Sequence, residues 1–358
     1  MKGLDRLRIA LGMGLLSTAV LATTRSARAG TGGTVVAGNG EWIYSNATYG
    51  NAVAPFGSCG GGKRGLDYQG RALKAEKLAE LPNGSAPDGC GLGVTEASLN
   101  QGAFTDAFDG ALVMAVNGTV FKNPDATLDL TGTTVTSDLR NIGGLNTQVQ
   151  FFFEPSNTAV RVVYSFSNTT GAALPANVLI DSNLGSDGNT LVAGTSDGDT
   201  VIEPSDTWFV TNDDGGADRG GTDIDPPLTW VRYGAGAAVT PNALALFQPG
   251  AIRESFTLNV PAGATQRLML IVKLNTGTPG ALAAGAALDS LPELQSAGLL
   301  AGMSAQQQSE LVNWAAGAGQ VITEVPSLSD WSRIGLLLSL AVGGMAAVRL
   351  GTRRGIRA

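Results

Sequence analysis

The sequence predicts a mainly β protein: an antiparallel β-sandwich ectodomain, a short α-helical C-terminal segment and one C-terminal transmembrane helix. Three observations carry that reading. Apolar residues alternate with period two through much of the middle of the chain. Glycine is abundant, at 50 of 358 residues, and clusters with Asn, Asp and Pro between the alternating runs. Helical patterning begins only after Asn275.

Residues 1–29 have the form of a secretory signal peptide. Lys2, Arg6 and Arg8 make a basic start, Ile9 to Ala22 is apolar, and Ala27-Arg28-Ala29 fits small-x-small cleavage. Residues 30–110 are glycine-rich and hold the only two cysteines, Cys59 and Cys90. In an oxidising compartment these two are expected to pair across a loop of about thirty residues, contributing about 3–4 kcal/mol. The absence of Cys-x-x-Cys and of histidine speaks against a redox or metal role for them.

The β core is expected over residues 111–275, with 30–110 part of the same domain. Leu112–Val116, Asn117-Gly118 and Thr119–Phe121 read as a hairpin with a type I′ turn. Val160, Val162, Tyr164 and Phe166 share one strand face, and Gln150–Glu154 is the expected partner strand. Ile252, Glu254, Phe256, Leu258 and Val260 alternate along another strand, followed by a turn at Pro261-Ala-Gly263. In the next strand Leu268, Leu270, Val272 and Leu274 line one face while Met269 and Ile271 make the other apolar too. That strand should lie centrally and be covered on both sides.

Residues 276–324 read as a helical segment and linker. Thr278-Pro279 is expected to open one helix and Ser304-Ala-Gln-Gln307 to cap another running through Leu311, Val312 and Trp314. This segment is expected at one end of the sandwich or as a stalk toward the membrane. Ala315-Ala-Gly-Ala-Gly319 then leads into the tail.

The tail, 325–358, has three parts: Val325-Pro326-Ser327-Leu328-Ser329-Asp330-Trp331, an uncharged run from Ile334 to Val348, and Arg349, Arg353, Arg354 and Arg357. As a helix the fifteen uncharged residues rise about 22 Å against a hydrocarbon core of roughly 30 Å; snorkelling arginines and Trp331 at the interface can make up the difference over 334–350. The basic end should stay cytoplasmic, leaving everything before Trp331 outside. These residues resemble the IPTL-CTERM sorting signal of Gram-negative bacteria, whose usual pattern is Ile-Pro-Thr-Leu-Ser-Glu-Trp-Gly. Val325, Ser327 and Asp330 are similar replacements, and Ser332 is the departure. The resemblance implies an exosortase-type membrane enzyme that cuts near the motif, after passage through the secretion translocon and anchoring in the inner membrane. It covers about thirty residues and implies nothing about the fold before them. An ordinary, uncut tail anchor is the alternative.

Charge narrows the partners. The chain has 23 basic and 30 acidic residues; without 1–29 and 331–358, 13 basic and 29 acidic remain, a net charge of −16. Such a surface disfavours nucleic acid and favours solubility or divalent cations. The chain has no histidine, which removes Ser-His-Asp and Cys-His catalysis and most zinc sites.

Candidate chemistry is confined to acidic, glycine-rich stretches between Asp181 and Asp225. Asp213, Asp214, Asp218, Asp223 and Asp225 could offer oxygen ligands to calcium, although neither EF-hand spacing nor a calcium repeat is present. The same residues suit plain surface turns. Asp187, Asp199, Glu203 and Asp206 lie close in sequence to Trp208, as a glycosidase pair beside a stacking ring would require, but no motif pairs two of them. Trp42, Tyr44, Trp208, Trp230 and Tyr233 are equally suited to a core. There is no G-x-S-x-G and no phosphate-binding loop. Two functional readings follow: a non-catalytic surface or matrix protein, and a carbohydrate-binding or carbohydrate-active sandwich using acidic loops with Trp208 and Trp230, with polysaccharide as partner.

Overall fold

The computed structural model describes residues 27–29, 32–49, 90–100, 106–108, 110–123, 128–186, 189–213, 225–247 and 250–315. These are mainly antiparallel β. Strands are numbered in chain order. The largest sheet has 10 strands. Its path runs β1 (Ala27–Ala29), β7 (Leu128–Thr131), β8 (Thr134–Thr136), β10 (Leu145–Glu154), β11 (Ala159–Asn168), β18 (Thr265–Leu274), β15 (Leu228–Val231), β14 (Trp208–Asp213) and β13 (Thr190–Thr195). Strand β9 (Arg140–Ile142) also pairs with β10. A 5-stranded sheet is ordered β16 (Ala243–Phe247), β17 (Ala251–Val260), β12 (Leu174–Asn183), β5 (Val113–Val116) and β6 (Thr119–Val120). A 3-stranded sheet comprises β2 (Gly32–Ala37), β3 (Gly40–Tyr49) and β4 (Cys90–Leu99).

The expected local elements form for the expected reasons. Asn117 and Gly118 take φ of 49° and 77°, the left-handed pair a type I′ turn needs, and Val116 pairs with Thr119. The Asn117 amide also clasps β12: Nδ2 donates to Pro175 O at 3.1 Å and Oδ1 accepts from Asn177 N at 2.9 Å. Phe151 lies opposite Val162, so β10 and β11 are the partners the alternation implied.

One core unites the three sheets. Phe151, Val162, Tyr164 and Leu270 of the large sheet pack in the same cluster as Val178 and Phe256 of the second and Trp42 and Val94 of the third. Consecutive strands therefore divide between layers: β17 pairs with β12 and β16, while β18, one turn later, pairs with β11 and β15. Charge is enclosed with the apolar groups. Arg232 and Glu254 form an ion pair, each about 1% exposed, beneath Phe209 and Trp230.

The central position expected for Leu268–Leu274 is realised. Leu268, Leu270, Val272 and Leu274 enter the main core, while Met269 and Ile271 join a second cluster on the opposite face. The cover of that face is the helical segment: α1 (Thr278–Ala286), α2 (Leu291–Ser296) and α3 (Ala305–Ser309), with Leu288, Leu294, Leu299, Leu311 and Trp314 supplying apolar contact. The segment thus lies across a sheet face, rather than at one end of the expected sandwich or as a stalk, because β11, β15 and β18 present an apolar outer surface that must be buried.

Polar ties fix this cap. Arg161, nearly fully buried, donates to Leu299 O at 2.7 Å and Ala301 O at 2.9 Å, with its guanidinium over Phe152. Asn313 is fully buried: Nδ2 donates to Arg232 O and Met269 O, and Oδ1 accepts from Met269 N. The capping box at Ser304 and Gln307 forms in both directions. Helix α3 ends at Ser309, however, and Leu311–Trp314 continue alongside β18. Val312 N donates to Arg267 O, and Asn313 pins the next residue to the sheet. At α1 the N-cap position is Gly277, not Thr278, whose hydroxyl accepts from Asn212 Nδ2.

Candidate functional site

The acidic loop before Trp208 is built from its own backbone. Asp206 is buried; its Oδ2 accepts from Glu203 N at 2.8 Å and its Oδ1 from Ser196 Oγ at 3.2 Å. Burial raises its pKa, the Glu203 N–H opposing. Asp199 Oδ1 accepts from Val201 N at 2.8 Å and from Thr195 Oγ1 at 3.0 Å. Asp197 is held below its ordinary value chiefly by the Thr195 hydroxyl. These carboxylates close turns, as Asx geometry allows. Glu203 is exposed, and Asp187 lies outside the described residues.

The aromatic residues separate in the same way. Trp230 is fully enclosed, stacked on Phe209 at 5.9 Å and edge-on to Phe108 at 6.0 Å, with Nε1 donating to Thr211 Oγ1. Trp208 is half-buried against the cap, its ring so close to Gly285 of α1 that an added Cβ would lie 2.4 Å from it. Trp42, Tyr44 and Tyr233 are buried, and Tyr233 Oη donates to Ser205 O at 2.6 Å. Trp208 and Trp230 therefore do not make a common open platform: one points into the main core and the other under α1.

Of the calcium candidates, Asp213 ends β14 and Asp225 lies shortly before β15, both about 4% exposed and both with partners. Asp214, Asp218 and Asp223 lie outside the described residues, as do Cys59 and the sorting residues Val325–Trp331. Cys90 opens β4, opposite Tyr49. Among the described residues, no group of three or more acidic, cysteine or histidine side chains is gathered for a metal, and no helix is long and apolar enough to cross a membrane. Ala27 and Ala29 form strand β1, paired with Leu130 and Leu128.

A cavity that the sequence did not reveal lies under the cap. It measures about 490 Å³ and is walled by Ala159, Ala284, Ala287, Leu288, Ala297 and Leu299, with Lys273, Asn157, Glu293 and Ser296 as its polar groups. The turn between β10 and β11 forms one side. Glu154 Oε2 accepts from Ser156 N at 2.7 Å and from Asn157 N, and Asn157 Nδ2 donates to Ala297 O at 2.6 Å. Lys273 comes from the end of β18, and its Nζ donates to Asn157 O. Burial lowers the Lys273 pKa, with the Glu154 carboxylate opposing. The hint in the sequence was a lone lysine ending a strand expected to be covered on both faces; which segment would cover it was not visible.

The fold and these sites define a mainly antiparallel β protein with a helical cap. No family model matches the chain, and no curated protein matches it. Solved structures similar to it include a TPR-domain containing protein from Parabacteroides distasonis, at TM-score 0.38 and 10% identity over 52% of this chain and 44% of that one. A mutant heparan sulfate lyase from Pedobacter heparinus has TM-score 0.33 and 11% identity, covering 52% and 31%. A galactose mutarotase related enzyme from Lactobacillus acidophilus has TM-score 0.34 and 6% identity, covering 69% and 98%. The chain thus spans less than half the length of the first two.

Proposed function

We propose that this chain is an exported, non-catalytic cell-surface or extracellular-matrix protein, a β-sandwich ectodomain delivered by its IPTL-CTERM-like tail. The observation that supports the non-catalytic reading is the commitment of the candidate groups: Asp199 and Asp206 to backbone turns, Trp230 to the core. The delivery reading draws on the signal peptide, the motif Val325–Trp331 and the arginine-rich end. Its test is to fractionate cells expressing the chain with and without Val325–Ala358 and to map the mature C-terminus by mass spectrometry. Loss of envelope association on deletion, and a mature end near the motif, are expected; an intact Ala358 in the surface-located form would refute processing. The carbohydrate alternative would have to dispense with Trp230. Polysaccharide binding abolished by Trp208→Ala in a folded protein would favour it.

A further inference from the structure

We propose that the cavity beneath the helical cap is a binding site for a neutral, apolar small molecule bearing a carbonyl oxygen, with Lys273 as the donor that orients it. Three features on different elements converge there. The volume, about 490 Å³, is in the range of small-molecule sites, and most of the wall is alanine and leucine: Ala284 of α1, Ala287 and Leu288 just after it, Ala297 and Leu299 just after α2, and Ala159 at the start of β11. Lys273 supplies a positioned donor: its bond to Asn157 O engages one of three ammonium N–H groups. The remaining N–H groups offer a carbonyl a charge-assisted bond in partly desolvated surroundings.

Charge decides the ligand class. Among the described residues that line the cavity Lys273 is the only cation, and Glu154 already faces it. Glu293 adds a carboxylate at the wall, with Asp289 hydrogen-bonded to it. Carboxylates near the pocket outnumber ammonium groups, so an anionic ligand is repelled while a neutral acceptor keeps the Lys273 bond. The side chains forming the site come from the cap and the sheet together, so the site exists only when the cap is docked.

Benzophenone is a suitable probe because it is neutral, apolar, carbonyl-bearing and photoreactive. The full-length protein would be irradiated with graded benzophenone, digested and mapped by mass spectrometry. Saturable labelling concentrated on peptides containing Ala284–Leu299 is expected, and 4-benzoylbenzoate, the anionic counterpart, should label them about tenfold less. Lys273→Met should weaken apparent affinity about tenfold or more, the loss of one charge-assisted hydrogen bond. Ala287→Trp and, separately, Ala284→Leu should abolish labelling of these peptides at unchanged thermal midpoint by filling the space. Labelling spread over the surface, equal labelling by the acid, or wild-type labelling in a folded filling variant would overturn the proposal. None of these readouts depends on the tail or on export.

Discussion

At the scale of single residues, the least expected feature is the charge enclosed in the core. Glu254 lies on the inward face of β17, in an alternation otherwise made of Ile252, Phe256, Leu258 and Val260. Its sequence position announced that it would point inward, but not that Arg232, near β15, would meet it. Removing one partner leaves the other charge buried alone, so Arg232→Met should cost about 3–5 kcal/mol in urea unfolding. The double variant Arg232→Met, Glu254→Leu should recover much of that loss; equal instability of single and double variants would contradict the pairing. Lys273 offers a pH test. Its folded pKa lies below the ordinary 10.5, so the folded state binds fewer protons than the unfolded one between those two values, and stability rises with pH there. Lys273→Met, which keeps the stem, should be most stable relative to wild type near neutral pH. That advantage should shrink as pH rises through the folded pKa toward 10.5; a flat difference would show that no proton is lost.

At the scale of elements, strands were legible and their cover was not. Alternation placed Gln150–Glu154 beside Val160–Phe166 and made both faces of Leu268–Leu274 apolar, because side-chain direction in a strand is local geometry. The cavity was illegible because its walls come from residues 157–159, 273 and 284–299, joined only by docking. Two variants probe that docking. Gly285→Ala places a Cβ against Trp208 and should destabilise by about 1–3 kcal/mol through overpacking. Asn313→Ala removes all three side-chain bonds to β18 and the Arg232 carbonyl, and should cost about 1–3 kcal/mol while raising hydrogen exchange in the cap. The same local reading applies to the acidic loop: if Asp199 and Asp206 serve turns, a calcium chelator should leave the thermal midpoint unchanged. A fall in the midpoint would instead assign a cation to the region ending at Asp225.

At the scale of the whole molecule, the uncut chain carries a consequence of its own. The proposed cleavage motif, Ala27-Arg28-Ala29, is itself edge strand β1 on β7. Cleavage after Ala29 removes that strand, so β7 becomes the edge of the large sheet in a chain beginning at Gly30. Because β1 contributes only three residues, the shortened chain should melt within a few degrees of the full one, with new amide exchange confined to Leu128–Thr131. Protection unchanged at β7 would mean that another segment has taken the place.

Composition and periodicity by themselves determined the mainly β class, the Asn117-Gly118 turn, the double-faced strand and the absence of histidine chemistry. Each is a property of residues near one another in sequence or of the whole inventory. Only the tertiary structure decided that β17 and β18 belong to different sheets, that residues 276–315 cover a sheet face, that Trp230 is core and Trp208 lies under α1, and that Lys273 faces a cavity. These depend on which distant surfaces bury each other, and an apolar face in the sequence states that it must be covered without stating by what.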